Sequence, residues 1–411
     1  MSFARPRVTM LVRNSFTHDS RVEKEATTLV GAGYDVTVVA DSAPGLSLRE
    51  ERDGYTVHRV ERPRTKVRGL RLLAYLRRLE AVLLETAPNI LHAHDSDALQ
   101  PVARAARQLD VPFVYDAHEL WLGLQNRGRS RLYFGLYLAY YATIELRYLH
   151  RATARIAATG MVGRHLERMY GLGEVHAVRN YPGVGGQVVP REIRSLPGAA
   201  AIPAEAPIAL HLGGVQVGRG VEHLIAAMRA IPGAHLVLLG TGDAALVERA
   251  IGGDTALGTR VHFLPPVPPQ EVVDYAASAT IGVAPGPPSC LSYRYSLPNK
   301  LFESMAAGLP VIGSSALPEV RAVIEHSGAG LTVDTTQPAE IAAALRFLLD
   351  HPDDAADMGR AGRQAIEERY NWSVSAAVLL EVYEGVRRSS ASRAATSSSG
   401  RTRRRASSSG T

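Results

Sequence analysis

The stretch Ser292-Tyr-Arg-Tyr-Ser-Leu-Pro-Asn-Lys-Leu-Phe-Glu-Ser-Met-Ala-Ala-Gly-Leu-Pro-Val-Ile-Gly-Ser314 decides how the chain is read. Its spacing predicts a loop, a helix and a buried strand. Ser296 is placed to cap the helix, and Pro298 fits its first turn, where a missing N–H is harmless. Gly308 stops the helix, and Leu309 to Ile312 reads as a short apolar strand. The first turn is unusual. Helix starts favour acids because the macrodipole is positive there. Ser296 to Phe302 carries no acid and one cation, Lys300. Such a start suits an anion from outside, most simply a phosphate. Glu303 follows three residues later on the same face, where a carboxylate can accept two ribose hydroxyls. Together these features point to a nucleoside diphosphate. A surface helix with a snorkelling lysine and a solvated glutamate is the plainer alternative.

The run from Ser296 to Val311 resembles the donor-site signature of glycosyltransferase family 4. The resemblance implies an α/β chain of GT-B type: two Rossmann-like, doubly wound parallel-sheet domains facing across a cleft. It implies a retaining enzyme that uses a nucleotide-sugar as co-substrate, with no metal and no other cofactor. In that family a Glu-x7-Glu pair is common. Its second member matches Glu303, which would hold the ribose. Its first would fall at Tyr295, so the sugar-facing carboxylate is absent from its usual place. Tyr295, Ser296, Leu297, Pro298 and Asn299 are candidate contacts to the sugar or acceptor.

A second glycine-rich turn supports the same site. Ile208-Ala-Leu-His-Leu-Gly-Gly214 reads as a strand opening into Val215-Gln-Val-Gly-Arg-Gly220 and a helix from Val221. Gly213, Gly214 and Gly220 let a phosphate approach backbone. Arg219 can fork onto diphosphate oxygens. Relatives often carry an arginine where this chain has Gly214 and a lysine where it has Arg219. The turn Gly240-Thr-Gly-Asp243 either lines the nucleotide pocket or simply joins a strand to a helix.

Strand and helix patterns alternate along the remaining chain, as in parallel sheets covered by helices. Val8–Arg13 opens a first series, and the polar loop after it offers Arg13, Asn14, Thr17 and His18 as candidate contacts. Two strands end in His92-Ala-His94-Asp95 and Asp116-Ala-His118-Glu119. Parallel strands present their carboxyl ends to one side, where such folds bind ligands. His94, Asp95, His118 and Glu119 are therefore expected together. The resemblance gives His118 the catalytic position against sugar and phosphate. A zinc site from these groups is disfavoured, and His92 reads as a buried strand histidine.

Residues 129–152 read as one long helix with Tyr133, Tyr137, Tyr141 and Tyr148 on one face and arginines, Arg127 among them, at its ends. It is either a core-packing stripe or an interfacial helix for anionic lipid or a lipid-linked acceptor. The expected organisation is a first domain over 1–181, a linker over 182–207, a second domain over 208–371 and a returning helix over 372–388. A disordered Ser/Arg-rich tail over 389–411 completes it.

The chain has 411 residues and a formal charge of +6, and five arginines of the acid-free tail supply most of that charge. The body is not expected to bind nucleic acid. One cysteine excludes an internal disulfide. No apolar run reaches the ~20 residues of a membrane span. A cytoplasmic protein, peripheral at most on the inner membrane face, is expected. Its partners would be a nucleotide-sugar donor and a carbohydrate or lipid-linked acceptor. A nucleotide-sugar epimerase and a non-catalytic nucleotide-sugar-binding protein are the competing readings.

Overall fold

The alternating apolar stretches form two parallel sheets, seen in a computed structural model that describes residues 5–63, 68–126, 128–183 and 188–406. The first sheet contains β1 (Arg7–Leu11), β2 (Asp35–Asp41), β3 (Arg49–Arg52), β4 (Tyr55–Val60), β5 (Ile90–His94), β6 (Phe113–Ala117), β7 (Ala154–Ala157) and β8 (His176–Ala177). Its order is β3-β4-β2-β1-β5-β6-β7-β8, and only β3 runs antiparallel to its neighbour. The second sheet contains β9 (Ile208–Leu212), β10 (His235–Leu239), β11 (Val261–Leu264), β12 (Ile281–Ala284), β13 (Val311–Ser314) and β14 (Gly330–Val333). Its order is β11-β10-β9-β12-β13-β14, all parallel. Strand order reverses between β1 and β5 in the first sheet and between β9 and β12 in the second. Ligands of such sheets bind outside the carboxyl ends of the strands at this reversal. The central strands β5, β6, β9 and β10 are buried at every residue, as strands covered on both faces must be.

The chain divides into two compact units. The first holds residues 1–122, 126–179 and 375 onward; the second holds 123–125 and 180–374. Residues 188–207, predicted as a linker, pack on the second sheet. Ile193, Ala199 and Ile202 are buried against Leu210, Val237 and Leu264. Isolated apolar residues without a period hid this role. The rest of that stretch, 184–187, lies outside the described residues, as do Arg127 and 407–411.

Two further expectations are corrected. The tail is helical through Ala406, as part of one helix, Trp372–Ala406. Its Ala, Ser and Arg residues contain no proline, and extending a nucleated helix adds one hydrogen bond per residue fixed. The predicted helix over 129–152 is Arg131–Tyr148 followed by a 3-10 turn, Leu149–Arg151. The sequence pattern also missed β3, Arg-Glu-Glu-Arg, which has no apolar residue to mark it. A tight turn at Asp53 and Gly54, both at positive φ, folds it onto β4.

Candidate functional site

The helix Asn299–Ala306 begins beside the reversal between β9 and β12. Pro298 occupies its N-cap position in extended conformation, and no acid stands in the first turn. Ser296 does not cap it: its hydroxyl donates to the Tyr293 carbonyl at 2.8 Å. A preceding short helix, Leu291–Arg294 with Cys290 at its N-cap, draws Ser296 away. Lys300 is half-buried, and its Nζ lies 3.1 Å from Nε2 of His211 in β9. Nδ1 of the same ring lies 3.3 Å from the Val283 carbonyl of β12. A neutral His211 that donates through Nδ1 accepts from the lysine through Nε2. Burial and the Lys300 charge push the His211 pKa well below its usual value. Burial and the Arg219 charge in turn lower Lys300 to about 7, opposed by Glu303.

Leu212, Gly213, Gly214, Gln216, Arg219, Leu297, Pro298, Asn299, Lys300 and Glu303 line one cavity of about 410 Å³. The two predicted cations therefore border the same space. Arg219 is exposed and lies 4.6 Å over the Tyr293 ring, a cation–π contact that holds it in place. The loop after β9 is rigid because it continues the ladder: Val215 donates to the Thr241 carbonyl and Asp243 to the Val215 carbonyl. A Cβ on Gly242 would meet that Val215 oxygen at 2.1 Å. The Gly240–Asp243 turn thus serves close packing with the loop. Gly220 is corrected in the same way. A Cβ there would lie 2.1 Å from the Pro285 carbonyl, so backbone packing demands the glycine and the residue does not line the cavity. Tyr295 is the C-cap of Leu291–Arg294 and is also absent from the cavity lining.

In the first unit Asp116, at the end of β6, anchors a second cluster. Arg21 grips it with two hydrogen bonds of 2.8 and 2.7 Å. His118 Nε2 lies 3.0 Å and His94 Nδ1 3.2 Å from Oδ2, the oxygen that Arg21 Nε also meets. Burial opposes charge on His118, but Asp95 and Asp116 outweigh it and raise its pKa to about 10. Asp95, at the positive-φ junction after β5, accepts the backbone N–H of His118 at 2.8 Å and of Glu119 at 3.4 Å. The predicted group His94, Asp95, His118 and Glu119 is brought together, with unequal roles. His118 and Glu119 reach the surface in part. His94 is buried beneath His118, 3.1 Å from it, and supports it instead of meeting a ligand. Asn14 is exposed but uses its side chain to shape its own loop, bonding Asp19 at 2.8 Å and the Phe16 amide at 2.7 Å. Arg13 is tied to Asp41 at 3.1 Å.

Glu25, His92, His94 and Asp116 offer donor atoms within 4.8 Å of one another. They do not suit a divalent cation. Arg21 already stands among them, 2.7 Å from Asp116 and 3.2 Å from Glu25, so an ion would face a guanidinium at close range. His92 sits as expected for a buried strand histidine, although its Nδ1 pairs with the Tyr383 hydroxyl at 2.9 Å and not with backbone. The roles of His211, Tyr293, Arg21, Glu25 and Asp116 were missed from sequence. The available signal was a polar residue inside an otherwise apolar strand, His211, and an i, i+4 Arg–Glu pair on a helix face that proves buried.

Two reversal-point sheets, one bearing a glycine loop and an acid-free helix start, fit the architecture of a GT-B glycosyltransferase. Family models agree on both units: residues 20–184 match Glycosyltransferase Family 4, and residues 206–351 match Glycosyl transferases group 1. With both stretches matched by glycosyltransferase models, the chain is a glycosyltransferase of GT-B fold. It is 26% identical to a glycogen synthase of Mycobacterium tuberculosis over 310 residues, 73% of this chain and 70% of that one. The solved structure of sucrose-phosphate synthase from Thermosynechococcus elongatus superposes with a TM-score of 0.78 at 19% identity, covering 94% of this chain and 100% of the other. HepE from Anabaena, solved in complex with UDP-glucose, gives 0.71 at 16% identity, covering 92% and 99%. Among the described residues no helix is long and apolar enough to cross a membrane.

Proposed function

We propose that this glycosyltransferase moves a hexose-type sugar from a UDP- or GDP-sugar to a polysaccharide, lipid-linked or small-molecule acceptor on the cytoplasmic side. In this reading configuration is retained and no metal is used. One observation carries the proposal: Lys300 and Arg219 border a single cavity at an acid-free helix start, with Glu303 three residues further on. The neighbour solved with UDP-glucose supports the donor class. In this reading the diphosphate lies on Lys300, Arg219 and the amides of the Asn299–Ala306 helix, and Glu303 accepts the ribose hydroxyls. As the bond from the anomeric carbon to the phosphate oxygen breaks, its electron pair leaves with the diphosphate. The acceptor oxygen forms the new bond and passes its proton to the departing diphosphate oxygen. Cations already in place favour that separated charge over the ground state.

The test is incubation with labelled UDP- and GDP-sugars, with and without a chelator, and analysis of the released or transferred sugar. Release or transfer with retained configuration, undiminished by chelator, is expected. Epimerised sugar, or binding without turnover, would replace the reading with one of its competitors.

A further inference from the structure

The first unit carries an apolar, basic rim that the transferase chemistry does not use. The helix Arg131–Tyr148 is apolar on nearly all sides, a composition that normally implies burial. One side is indeed covered: Tyr141 packs 4.4 Å from Trp121, and Ile144, Glu145 and Tyr148 are buried. The opposite stripe is open. Leu132 is 76% exposed, Leu136 63% and Leu146 64%, with Tyr133 and Tyr140 exposed beside them. These positions recur at helical spacing and form one face.

A second helix repeats the arrangement. Arg68–Glu85 opens with Leu70, Leu72 and Leu73 exposed, Leu70 at 60%. The helix Ser96–Leu109 lies between the two. Tyr140 bonds Gln100 on one side at 3.3 Å, and Arg104 meets Glu80 on the other at 4.0 Å. The two flanking helices each leave the carboxyl end of a parallel strand, β4 or β6. Their exposed first turns therefore lie toward the same edge of the sheet, the edge that bears His118.

Charge selects the occupant. Exposed Arg71, Arg77 and Arg78 sit on one helix, and exposed Arg129, Arg131, Arg147 and Arg151 lie on or beside the other. The only acid of Arg131–Tyr148, Glu145, is buried. Arg129 lies 5.5 Å from the Tyr133 ring centre, an aromatic body beside a cationic head as found at lipid–water boundaries. An acidic protein partner would match the charges without requiring six exposed leucines at the first turns of two helices and along one of them. We propose that this rim docks on an anionic lipid bilayer, with the leucines entering the acyl boundary and the arginines meeting the headgroups.

The test is co-sedimentation of the full-length protein with vesicles of phosphatidylcholine, alone or with about 30% phosphatidylglycerol, at low and high salt. Binding to the anionic vesicles, weakened by salt, is expected. The double variant L132Q/L136Q should lower partition about tenfold while keeping the native melting point, since both side chains are exposed. K300A should bind vesicles as the native protein does, which separates this surface from the donor site. Three results would overturn the proposal: no preference for anionic vesicles, native-like binding by L132Q/L136Q, or a concentration-dependent dimer that L132Q/L136Q dissolves. The last would make the rim a contact between copies of this chain.

Discussion

Each unit places a histidine beside a strong charge, and the two units resolve the encounter in opposite ways. In the first, His118 lies between Asp95 and Asp116 and is held as a cation up to about pH 10. Asp116 is met in turn by Arg21, so the charges of this cluster answer one another internally. In the second, His211 is neutral and accepts from Lys300, whose own charge is weakened to a pKa of about 7. The nearby cation, Arg219, repels the lysine, and together with burial this outweighs the steadying charge of Glu303. The first arrangement is a completed framework. The second is an incomplete one that a dianionic ligand would complete.

The sharpest way to break this contrast is to remove one partner from each side. Asp116→Ala strands a buried guanidinium and should cost about 3–5 kcal/mol of stability in chemical denaturation. A loss below about 1 kcal/mol would mean the network is not structural. Lys300→Ala should leave stability nearly unchanged or slightly improved. It should instead weaken donor binding by about 1.5–3 kcal/mol in calorimetry, the worth of a charge-assisted bond. Glu303→Ala should weaken it less. Unchanged affinity in both variants would defeat the donor assignment.

Protonation separates the two units further. Lys300 is charged below about pH 7 and neutral above it. Diphosphate affinity should therefore fall as pH rises through 7, and Lys300→Arg should flatten the profile because a guanidinium stays charged. In the first unit, burial and the Asp116 charge raise Glu25 to about 8. Between an unfolded value near 4.5 and that folded value, the native state binds the extra proton. Stability from this group thus falls as pH rises across that window. Glu25→Gln should remove the slope, read from denaturation midpoints at pH 5 and pH 8. The smallest effect is expected from His211→Phe, which keeps an apolar filler but deprives Lys300 of its acceptor. A loss of about 1 kcal/mol or less in donor affinity should result.

The donor half of this picture was legible in sequence because it depends on local order. Lys300 and Glu303 share a helical face by spacing alone, and the acid-free first turn is visible as composition. The cap was misread because Ser296 chose a carbonyl upstream, a preference set by the short helix before it. The first-unit network was far less legible. Arg21 and Asp116 are 95 residues apart, and their pairing exists only once β1, β5 and β6 lie side by side. His94 was read as a ligand contact because its position at a strand end is visible in sequence, whereas its depth beneath His118 is not. Gly220 and Gly242 were open to the same error: a glycine that admits a phosphate and one that admits a neighbouring carbonyl look alike until the backbone is folded.

The lone thiol of the chain gives the donor site a natural place for a reporter. Cys290 is half-buried and opens the short helix that carries Tyr293, the ring beneath Arg219. A small environment-sensitive dye attached through maleimide chemistry would enter at a single position. It would sit one helical turn from Tyr293, the ring on which Arg219 rests, and its emission could follow ligand arrival without radiolabel or a known acceptor.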